Sequence, residues 1–330
     1  MNLKIFLSFL WIGFGFATFQ QTYADIPQKD ALNRFINQLV KQQHFEEVEL
    51  REWLSAAEIQ QPILDAMAKP AEAKPWQQYR DIFMTDSRID GGVQFWRDNQ
   101  AALNQVAQQT GVPAEIIIAI IGVETKYGAH TGKYRVIDAL ATLGFAYPPR
   151  SEFFLKELES FLLLCREEQL DPRVPMGSYA GAMGLPQFMP SSYRAYARDF
   201  DLDSRRDIWH NSADAIYSVA HYFVANRWLP GGGITFQVDA ANGAEYRKAL
   251  TKGVKPDISV GQLRQLGLQV TKSLADTEQV KLLQYTFQGQ EQLWLGLHNF
   301  YVITRYNHSP LYAMVVYELS QAIREKYYNH

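Results

Sequence analysis

The stretch "VPAEIIIAIIGVETKYG", residues 112–128, predicts a helix that is apolar almost throughout and ends in a carboxylate. Pro113 suits the first turn of a helix, and Gly128 suits the left-handed position that ends one. Because apolar residues lie on every side of this helix, we expect most of its circumference to be buried.

Glu124 falls in the last turn of the predicted helix. Burial disfavours the charged form of its carboxyl, and the partial negative charge of the helix C-terminus opposes that form further, so both raise its pKa. A glutamate that keeps its proton near neutral pH can act as a general acid. The alternative is a structural glutamate, half exposed and paired with Lys126 or with an arginine elsewhere.

The composition is that of a globular chain with balanced charge. Of the 330 residues, 47% are hydrophobic, which is enough for a large buried core. The 32 Lys and Arg residues and the 35 Asp and Glu residues are scattered along the sequence. A nucleic-acid-binding protein concentrates its basic residues in one stripe, so we expect no nucleic acid partner.

Residues 1–24 have the pattern of a secretory signal peptide. Lys4 supplies the positive end, residues 5–19 form the apolar stretch, and residues 22–24 resemble a cleavage site. A retained N-terminal membrane anchor is the alternative, but the apolar stretch would form a helix of roughly 22 Å, shorter than the roughly 30 Å hydrocarbon layer. We therefore predict cleavage and export.

Cys165 is the single cysteine of the chain, so no internal disulfide can form. The absence of a cysteine near the cleavage site predicts that the exported chain carries no lipid anchor. The apolar residues 161–164 before Cys165 predict a buried, inert thiol.

The pattern along the chain predicts an α+β fold, mainly α. Amphipathic helices are predicted at residues 29–43, 93–110, 151–168, 212–225 and 311–328, and strands at residues 234–238, 281–288 and 293–306. The predicted divisions are a signal peptide (1–24), a helical region (25–228), a small β-containing subdomain (229–305) and a C-terminal segment packing back on the helical core (306–330).

A second distinctive stretch is "GSYAGAMGLPQFMPSSY", residues 177–193. Its glycines and alanines allow tight bends that expose backbone N–H and C=O groups, and Ser178 and Gln187 add neutral donors and acceptors. Such a surface suits an uncharged ligand rich in hydroxyl and amide groups. A tight packing turn between helices explains the composition equally well.

Together with "GVETKYG" (122–128), "DIW" (207–209) and "RYNHSPLYAMVV" (305–316), this stretch resembles the lytic murein transglycosylase B family, from about Gln28 to the C-terminus. The resemblance implies a lysozyme-like helical catalytic core with a small β-containing subdomain. It implies cleavage of the β-1,4 bond between N-acetylmuramic acid and N-acetylglucosamine in peptidoglycan, with 1,6-anhydromuramoyl products. The implied partners are glycan strands; no protein partner is indicated.

The resemblance also carries over individual residues. Glu124 matches the family's catalytic acid/base, Ser178 and Gln187 match sugar-binding positions, and Tyr306 with Asn307 matches the "RYN" pair. Further matches to groove residues are Tyr79, Arg80, Arg150, Tyr222 and Tyr312. Phe153 departs from the pattern, because a tyrosine is found there in a family member, and the phenylalanine lacks the hydroxyl that could form a hydrogen bond.

A single glutamate is an unusual catalytic set, since ordinary glycosidases use two carboxylates. One suffices if the nucleophile is the substrate's own 6-hydroxyl, because the carboxylate left after protonation of the leaving oxygen can accept that hydroxyl's proton. No cofactor is then required. A lysozyme-type hydrolase would need a second carboxylate, for which Asp138, Glu152 and Glu157 are candidates. A non-catalytic glycan-binding protein is the other alternative.

The segment "DFDLDSRRDIW", residues 199–209, spaces oxygen ligands as an EF-hand loop does. The candidate ligands are Asp199, Asp201, Asp203, the Arg205 carbonyl and Asp207. Ser204 replaces the usual glycine, and His210 stands where the final glutamate belongs. Some members of the resembled family close a related calcium loop with a later aspartate, here Asp214. A structural calcium site and a solvated acidic loop both fit this pattern.

Overall fold

The computed structural model describes residues 29–68 and 74–329, which form fourteen α-helices and seven β-strands. The helices are α1 (Lys29–Gln43), α2 (Glu47–Ser55), α3 (Gln61–Ala68), α4 (Trp76–Phe83), α5 (Asp86–Asp98), α6 (Gln100–Thr110), α7 (Ala114–Thr125), α8 (Val136–Ala146), α9 (Ser151–Glu167), α10 (Pro190–Tyr196), α11 (Ser212–Ala225), α12 (Val260–Gln265), α13 (His298–Tyr306) and α14 (Pro310–Asn329). The strands are β1 (Tyr134–Arg135), β2 (Met176–Gly177), β3 (Thr235–Ala240), β4 (Ile258–Ser259), β5 (Leu268–Gln269), β6 (Gln279–Phe287) and β7 (Gln290–Gly296). The predicted signal peptide, residues 1–24, lies outside the described residues.

The described residues divide into two compact units. The first unit contains residues 29–68 and 124–218, and the second contains residues 74–123 and 219–329. The limits between them fall inside α7 and α11. The mainly helical α+β fold predicted from the sequence is confirmed, whereas the predicted divisions at residues 24, 228 and 305 stay predictions.

The core of the first unit lies around α8, whose residues from Val136 to Phe145 are all buried. Helix α9 faces this core with a stripe of buried apolar residues, among them Phe154, Leu158 and Phe161. The ring of Phe145 also meets that of Phe35 on α1 edge to face, at 5.9 Å between centroids. Burial of these side chains from three helices is the main contribution to the stability of this unit.

The short antiparallel pair β1–β2 belongs to the first unit and joins two distant loops. Tyr134 pairs with Gly177, and Arg135 pairs with Met176. Gly132 has a φ of +105°, and a Cβ there would collide with the Gly177 backbone. Only glycine fits this close approach, which places the loop after α7 beside the start of the glycine-rich stretch.

A single helix predicted over residues 93–110 is wrong, because the chain forms two helices, α5 and α6. Asn99 separates them, with φ −117° and ψ 19°. Its side-chain amide donates to the carbonyl of Phe95 at 2.9 Å. Asparagine side chains compete in this way with the backbone hydrogen bonds of a helix. The helix therefore breaks at Asn99 although the apolar stripe in the sequence continues.

The sheet of the second unit is antiparallel, with strand order β4-β6-β7-β3-β5. In the register of its three central strands, Leu295 of β7 lies between Phe236 of β3 and Leu282 of β6. These side chains join a buried cluster that includes Val260 and Leu263 of α12. The sheet thus has its own small apolar core, as predicted for a β-containing subdomain.

A strand predicted over residues 293–306 is only half correct. Strand β7 ends at Gly296, and residues 298–306 form α13. The side chain of Asn299, in the first turn, accepts from the Leu229 amide at 2.9 Å and donates to the Leu229 and Gly232 carbonyls. Aromatic and β-branched residues favour strands only weakly, and these tertiary contacts stabilise the helix instead.

Among the described residues, no single helix is long and apolar enough to cross a membrane. Helices α6 and α7 meet the criterion of length and composition only when they are taken together, and they are bent by 116°.

Candidate active site

The last turn of α7 carries Glu124, which is half-buried. The isoleucines that precede it, residues 116–118 and 120–121, are completely buried. After Thr125 the chain reverses through three left-handed residues, Lys126 (φ 51°), Tyr127 (φ 60°) and Gly128 (φ +91°). The sequence predicts the left-handed conformation at Gly128, and the reversal begins two residues before it.

Thr125 connects this helix end to the glycine-rich stretch. Its hydroxyl donates to the carbonyl of Leu185 at 3.1 Å and accepts from the Gly128 amide at 3.1 Å. The carbonyl of Thr125 accepts from the His130 amide at 2.9 Å. These three bonds fix the direction in which the chain leaves α7, immediately after Glu124.

Arg88 of α5 binds the last turns of α7 within the second unit. Its Nε donates to the carbonyl of Gly122 at 3.0 Å, and its Nη1 donates to the carbonyl of Ile82 at 2.7 Å. The last carbonyls of a helix have no partner inside the helix, and a cation near them is favourable. Arg88 therefore stabilises the final turns of α7.

The glycine-rich stretch, residues 177–187, is a tight set of backbone turns. The hydroxyl of Ser178, a buried residue, accepts from the Ala182 amide at 3.0 Å, and the Ser178 amide donates to the Ala182 carbonyl at 2.8 Å. Gly184 has a φ of +67°, and a Cβ there would lie 2.5 Å from the Ile208 carbonyl oxygen. The structure shows the predicted packing turn, and the ligand-binding role of Ser178 and Gln187 stays a prediction.

Gln187 follows these turns in a left-handed conformation, with φ 50°. Its amide nitrogen donates to the carbonyl of Thr131 at 3.1 Å and to that of Gly184 at 3.0 Å. Both donors are thus directed at the protein, and the amide oxygen is the atom through which Gln187 can accept from a ligand hydroxyl.

Arg150 ends a short 3₁₀ turn before α9 in the first unit. Its guanidinium lies over the rings of Phe153 and Phe154, at 4.3 Å and 5.1 Å from their centroids. Burial lowers the pKa of Arg150, against smaller opposing effects of Tyr147 and Glu157. The ring of Phe153 is 36% exposed, so this departure from the family pattern presents an apolar face covered by a cation.

In the second unit, three of the predicted tyrosines lie together. The ring centroid of Tyr306 is 4.8 Å from that of Tyr222 and 6.4 Å from that of Tyr312, which is nearly parallel to it. The hydroxyl of Tyr222 donates to the carbonyl of Arg305 at 2.6 Å. Asn307 follows Tyr306 in an extended conformation at the end of α13. Tyr306 thus belongs to an aromatic cluster, and Asn307 follows it directly in the chain.

Tyr79 and Arg80, on α4 of the second unit, have mainly protein contacts. Tyr79 is buried, with its ring 5.2 Å from that of Phe83. Arg80 Nε lies 2.5 Å from Glu318 Oε2, and its guanidinium covers the ring of Phe287 at 4.9 Å. Burial raises the pKa of Glu318 although Arg80 opposes this. Arg80 therefore has an acid partner already, unlike Arg150, for which no ion pair within 4 Å occurs among the described residues.

All three candidates for a second catalytic carboxylate have partners in the first unit. Asp138 is buried and accepts from the Arg135 guanidinium at 2.7 Å and from the Glu58 amide at 3.0 Å. Glu157 is buried and accepts from the amide and the hydroxyl of Ser191, at 2.9 and 2.7 Å. Glu152 is exposed and pairs with Lys156 at 2.7 Å.

The acidic loop brings three of its predicted ligands together. Carboxylate oxygens of Asp199, Asp201 and Asp203 lie within 4.8 Å of one another. Ser204, in place of the usual glycine, adopts the left-handed conformation (φ 72°), and its amide donates to Asp199 at 2.8 Å. Such an oxygen cluster fits a hard cation such as calcium.

Two predicted ligands, Asp207 and Asp214, lie outside this carboxylate cluster. Asp207 accepts from the amides of Trp209 and His210, both at 2.9 Å. Asp214 is completely buried and accepts from the amides of Phe200 and Asp207, both at 2.8 Å. Burial raises the pKa of Asp214 to about 6. Asp214 therefore closes the loop through backbone hydrogen bonds.

Comparisons with known proteins agree with this geometry. Residues 27–321 match the family model described as Transglycosylase SLT domain. Over 313 residues, 92% of this chain, it is 43% identical to Membrane-bound lytic murein transglycosylase B of Escherichia coli (strain K12), of which 85% is covered.

The chain belongs to the lytic murein transglycosylase family.

Three solved structures of this family are similar to the chain. Soluble lytic transglycosylase SltB1 from Pseudomonas aeruginosa has a TM-score of 0.86 at 46% identity, covering 90% of this chain and 99% of that one. Escherichia coli Slt35 in complex with calcium has a TM-score of 0.85 at 42% identity, covering 93% and 97%. Pseudomonas aeruginosa SltB3 in complex with NAG-anhNAM-pentapeptide has a TM-score of 0.80 at 29% identity, covering 90% and 79%.

The resemblance predicted from the sequence is thereby confirmed, and so is the activity. The chain is a lytic murein transglycosylase, an enzyme that cleaves murein. The sequence does not predict the roles of Arg88 and Thr125. Thr125 lies within "GVETKYG", but nothing in that stretch indicates its bond with Leu185, and Arg88 lies in no motif.

Proposed function

We propose that this transglycosylase uses Glu124 as its sole acid and base. The observation that carries the proposal is the position of Glu124, half-buried in the last turn of an apolar helix whose end is bonded to the glycine-rich stretch. A half-buried carboxyl can exchange a proton with a ligand while its surroundings exclude most water.

The proposed reaction breaks the bond between the anomeric carbon of N-acetylmuramic acid and the oxygen of N-acetylglucosamine. Glu124 donates its proton to that leaving oxygen, and the 6-hydroxyl of the muramoyl residue attacks the anomeric carbon. The carboxylate of Glu124 accepts the hydroxyl proton, which restores the acid. No water is consumed, and the product is a 1,6-anhydromuramoyl end.

The partners of the three candidate carboxylates support this route over hydrolysis. A hydrolase needs a second carboxylate to act as nucleophile or to hold a water. Asp138 and Glu157 are buried and hydrogen-bonded, and Glu152 is exposed and paired with Lys156. The anhydromuramoyl ligand in the SltB3 structure also supports an anhydro product.

We propose glycan-binding residues in each unit, considered separately. In the first unit these are Ser178, Gln187 and Arg150, which offer neutral hydrogen-bonding groups and one cation. In the second unit they are Tyr222, Tyr306 and Asn307. Tyr79, Arg80 and Tyr312 of the same unit are proposed as further groove residues. The aromatic cluster supports saccharide binding because sugar rings stack on aromatic faces.

We further propose that Asp199, Asp201 and Asp203 hold a structural calcium ion, with the Arg205 carbonyl, and that Asp207 and Asp214 shape the loop. The calcium complex of Slt35 supports this assignment. Residues 1–24 are proposed to direct export to the periplasm, where murein is accessible.

The test is digestion of purified murein sacculi in ¹⁸O-labelled water, with mass analysis of the products. The proposed reaction gives ends that are lighter by one water than reducing ends and contain no label. Hydrolysis would give reducing ends that carry ¹⁸O, and a glycan-binding protein would release no products. Either result would reject the proposed mechanism.

A further inference from the structure

The turn that follows Glu124 contains two adjacent residues in a conformation that L-amino acids avoid. Lys126 has a φ of 51° and Tyr127 a φ of 60°, and Gly128 continues the turn with a φ of +91°. We call Lys126 and Tyr127 the left-handed pair. Residues other than glycine adopt this conformation singly, because the Cβ atom comes too close to the following carbonyl oxygen. In the described part of the chain, no second pair of adjacent non-glycine residues is left-handed.

The side chain of Lys126 does not account for this strain. Lys126 is half-buried, and its amine forms no ion pair or hydrogen bond with the residues that the structure describes. No polar contact of the side chain therefore compensates for the backbone conformation. Strained backbone persists where the surrounding structure over-determines it, and it is concentrated at functional sites. The cause of the strain therefore lies in the contacts of the backbone.

Hydrogen bonds hold the turn closed and attach it to the glycine-rich stretch. The hydroxyl of Thr125 donates to the carbonyl of Leu185 and accepts from the amide of Gly128, both at 3.1 Å. The amide of His130 donates to the carbonyl of Thr125 at 2.9 Å, across the whole turn. The left-handed pair lies between these bonded groups, so its conformation is fixed from both sides.

The chain that leaves the turn contacts the glycine-rich stretch at two further places. The carbonyl of Thr131 accepts from the side-chain amide of Gln187 at 3.1 Å, and β1 pairs with β2. A right-handed path through the left-handed pair would direct the chain away from these partners, since opposite handedness reverses the sense of the turn. The left-handed conformation therefore carries the chain from Glu124 to the carbonyl that orients Gln187.

We propose that the left-handed pair is a positioning element, whose conformation holds Glu124 and the side chain of Gln187 in the arrangement that the reaction requires. This inference rests on the proposed function, which takes Glu124 as the acid and Gln187 as a sugar-binding residue. The pair acts through the direction of the main chain. The conformational preference of the residues at these positions, and not their charge, is therefore expected to determine kcat/KM.

The first experiment changes the preference for the left-handed conformation at Lys126. Lys126→Val disfavours this conformation, because a β-branched residue rarely adopts a positive φ. We expect kcat/KM on soluble murein strands to fall by about tenfold, since a smaller fraction of the folded molecules holds Glu124 and Gln187 in place. Lys126→Gly favours the conformation. It is expected to retain the kcat/KM of wild type and to raise the melting temperature by about 2 °C.

Two kinds of control separate positioning from charge and from general stability. Lys126→Gln removes the charge but keeps an unbranched side chain, so it is expected to behave as wild type. His44 is another left-handed residue, with a φ of 56°, and is exposed between α1 and α2. His44→Val and His44→Gly are expected to lower and raise the melting temperature as the same changes at Lys126 do, but to leave kcat/KM unchanged.

Hydrogen exchange gives a readout that is independent of activity. The amides of Gly128 and His130 are both bonded to Thr125 and report on the closed turn. In Lys126→Val they are expected to exchange about tenfold faster than in wild type, in proportion to the loss of kcat/KM. In Lys126→Gly and in His44→Val they are expected to exchange no faster than in wild type.

A Lys126→Val enzyme with the kcat/KM of wild type would overturn the proposal. So would a Lys126→Gln enzyme as slow as Lys126→Val, since the charge would then be the cause. In both cases Glu124→Gln would still be inactive, and the proposed function would stand. Retention of activity in Glu124→Gln would instead reject the proposed function and this inference with it.

Discussion

The hydroxyl of Thr125 donates a hydrogen bond of 3.1 Å to the carbonyl of Leu185. Sixty residues separate the two positions, yet this bond joins the residue after Glu124 to the centre of the glycine-rich stretch. The proposed acid and the proposed sugar-binding turns are therefore held in one arrangement by a side chain that takes no part in the chemistry.

Replacement of Thr125 by valine tests that arrangement. Valine has nearly the same shape but leaves the Leu185 carbonyl and the Gly128 amide without this partner, which costs about 1–3 kcal/mol of stability. We expect a lower melting temperature and a lower kcat with a smaller change in KM. Thr286→Val, at an exposed strand position, is the control and is expected to behave as wild type. An unchanged kcat for Thr125→Val would show that Glu124 is positioned by other contacts.

Replacement of Glu124 by glutamine removes the proposed acid and base without changing the size of the side chain. We expect the release of anhydromuropeptides from sacculi to fall by about 10²–10⁴-fold, the usual contribution of general acid–base catalysis. The control is Glu115→Gln in the first turn of the same helix, where Glu115 lies 3.6 Å from Arg324. Retention of activity in Glu124→Gln with an intact fold would assign the proton transfer to another residue.

Burial raises the pKa of Glu157, although its hydrogen bonds with Ser191 and the charge of Arg150 oppose the shift. The folded protein then holds this proton more tightly than the unfolded chain, whose glutamate pKa is about 4.3. The resulting stabilisation is present below that pH and is lost as pH rises through the folded pKa. We expect the stability of the wild type relative to Glu157→Gln to fall over this range in chemical denaturation.

Glu152→Gln is the control for that experiment, because Glu152 is on the same helix but its pKa is lowered by Lys156. The Glu152→Gln substitution therefore removes a pH dependence of stability with the opposite sign. The effect is small, because an exposed ion pair contributes little to stability. Identical pH profiles for wild type and Glu157→Gln would show that Glu157 titrates as in the unfolded chain.

A turn can need glycine because its φ is left-handed or because a Cβ would collide with a neighbour. Substitutions at Gly184 and Gly231 distinguish these two causes. Their φ angles are nearly the same, +67° and +70°, but a Cβ would lie 2.5 Å from the Ile208 oxygen at Gly184 and would meet nothing within 4 Å at Gly231. We expect Gly231→Ala to cost only the left-handed strain of about 1–2 kcal/mol. Gly184→Ala is expected to cost more and to lower activity. Equal losses in thermal unfolding would mean that the Ile208 backbone shifts freely.

Calcium is expected to raise the melting temperature, because an ion that binds only the folded loop stabilises the folded state. Asp203→Asn removes one carboxylate of the cluster and should abolish most of this shift, whereas Asp98→Asn, on α5, should retain it. The measurement is thermal unfolding in chelator and in increasing calcium. A melting temperature that does not respond to calcium in the wild type would leave the segment as a solvated acidic loop.

The helix that carries Glu124 was predictable because its signals are local. Pro113, the run of isoleucines and Gly128 mark its start, its burial and its end within one stretch of sequence. The contact of Arg88 with Gly122 was not predictable, since the two residues are 34 positions apart and Arg88 belongs to no motif. Likewise, nothing near Arg80 in the sequence indicates its ion pair with Glu318, 238 residues away.

The errors in the predicted elements have the same origin. Residues 298–306 are rich in aromatic and β-branched residues, and the bonds of Asn299 with a distant loop accompany their folding as a helix. In the acidic loop, the carboxylates of Asp199, Asp201 and Asp203 lie together as their spacing predicts, and their role as metal ligands stays a prediction. Spacing alone does not reveal that Asp214 accepts hydrogen bonds from two backbone amides, because these bonds depend on the folded conformation of the loop.

The position of Cys165 has a consequence for the chain in an oxidising medium. The thiol is buried in α9, and burial raises its pKa, so little reactive thiolate forms and oxidants in the surrounding medium do not reach it. Two folded molecules therefore cannot become cross-linked through sulfur. Oxidising conditions therefore leave this thiol unmodified for as long as α9 remains packed.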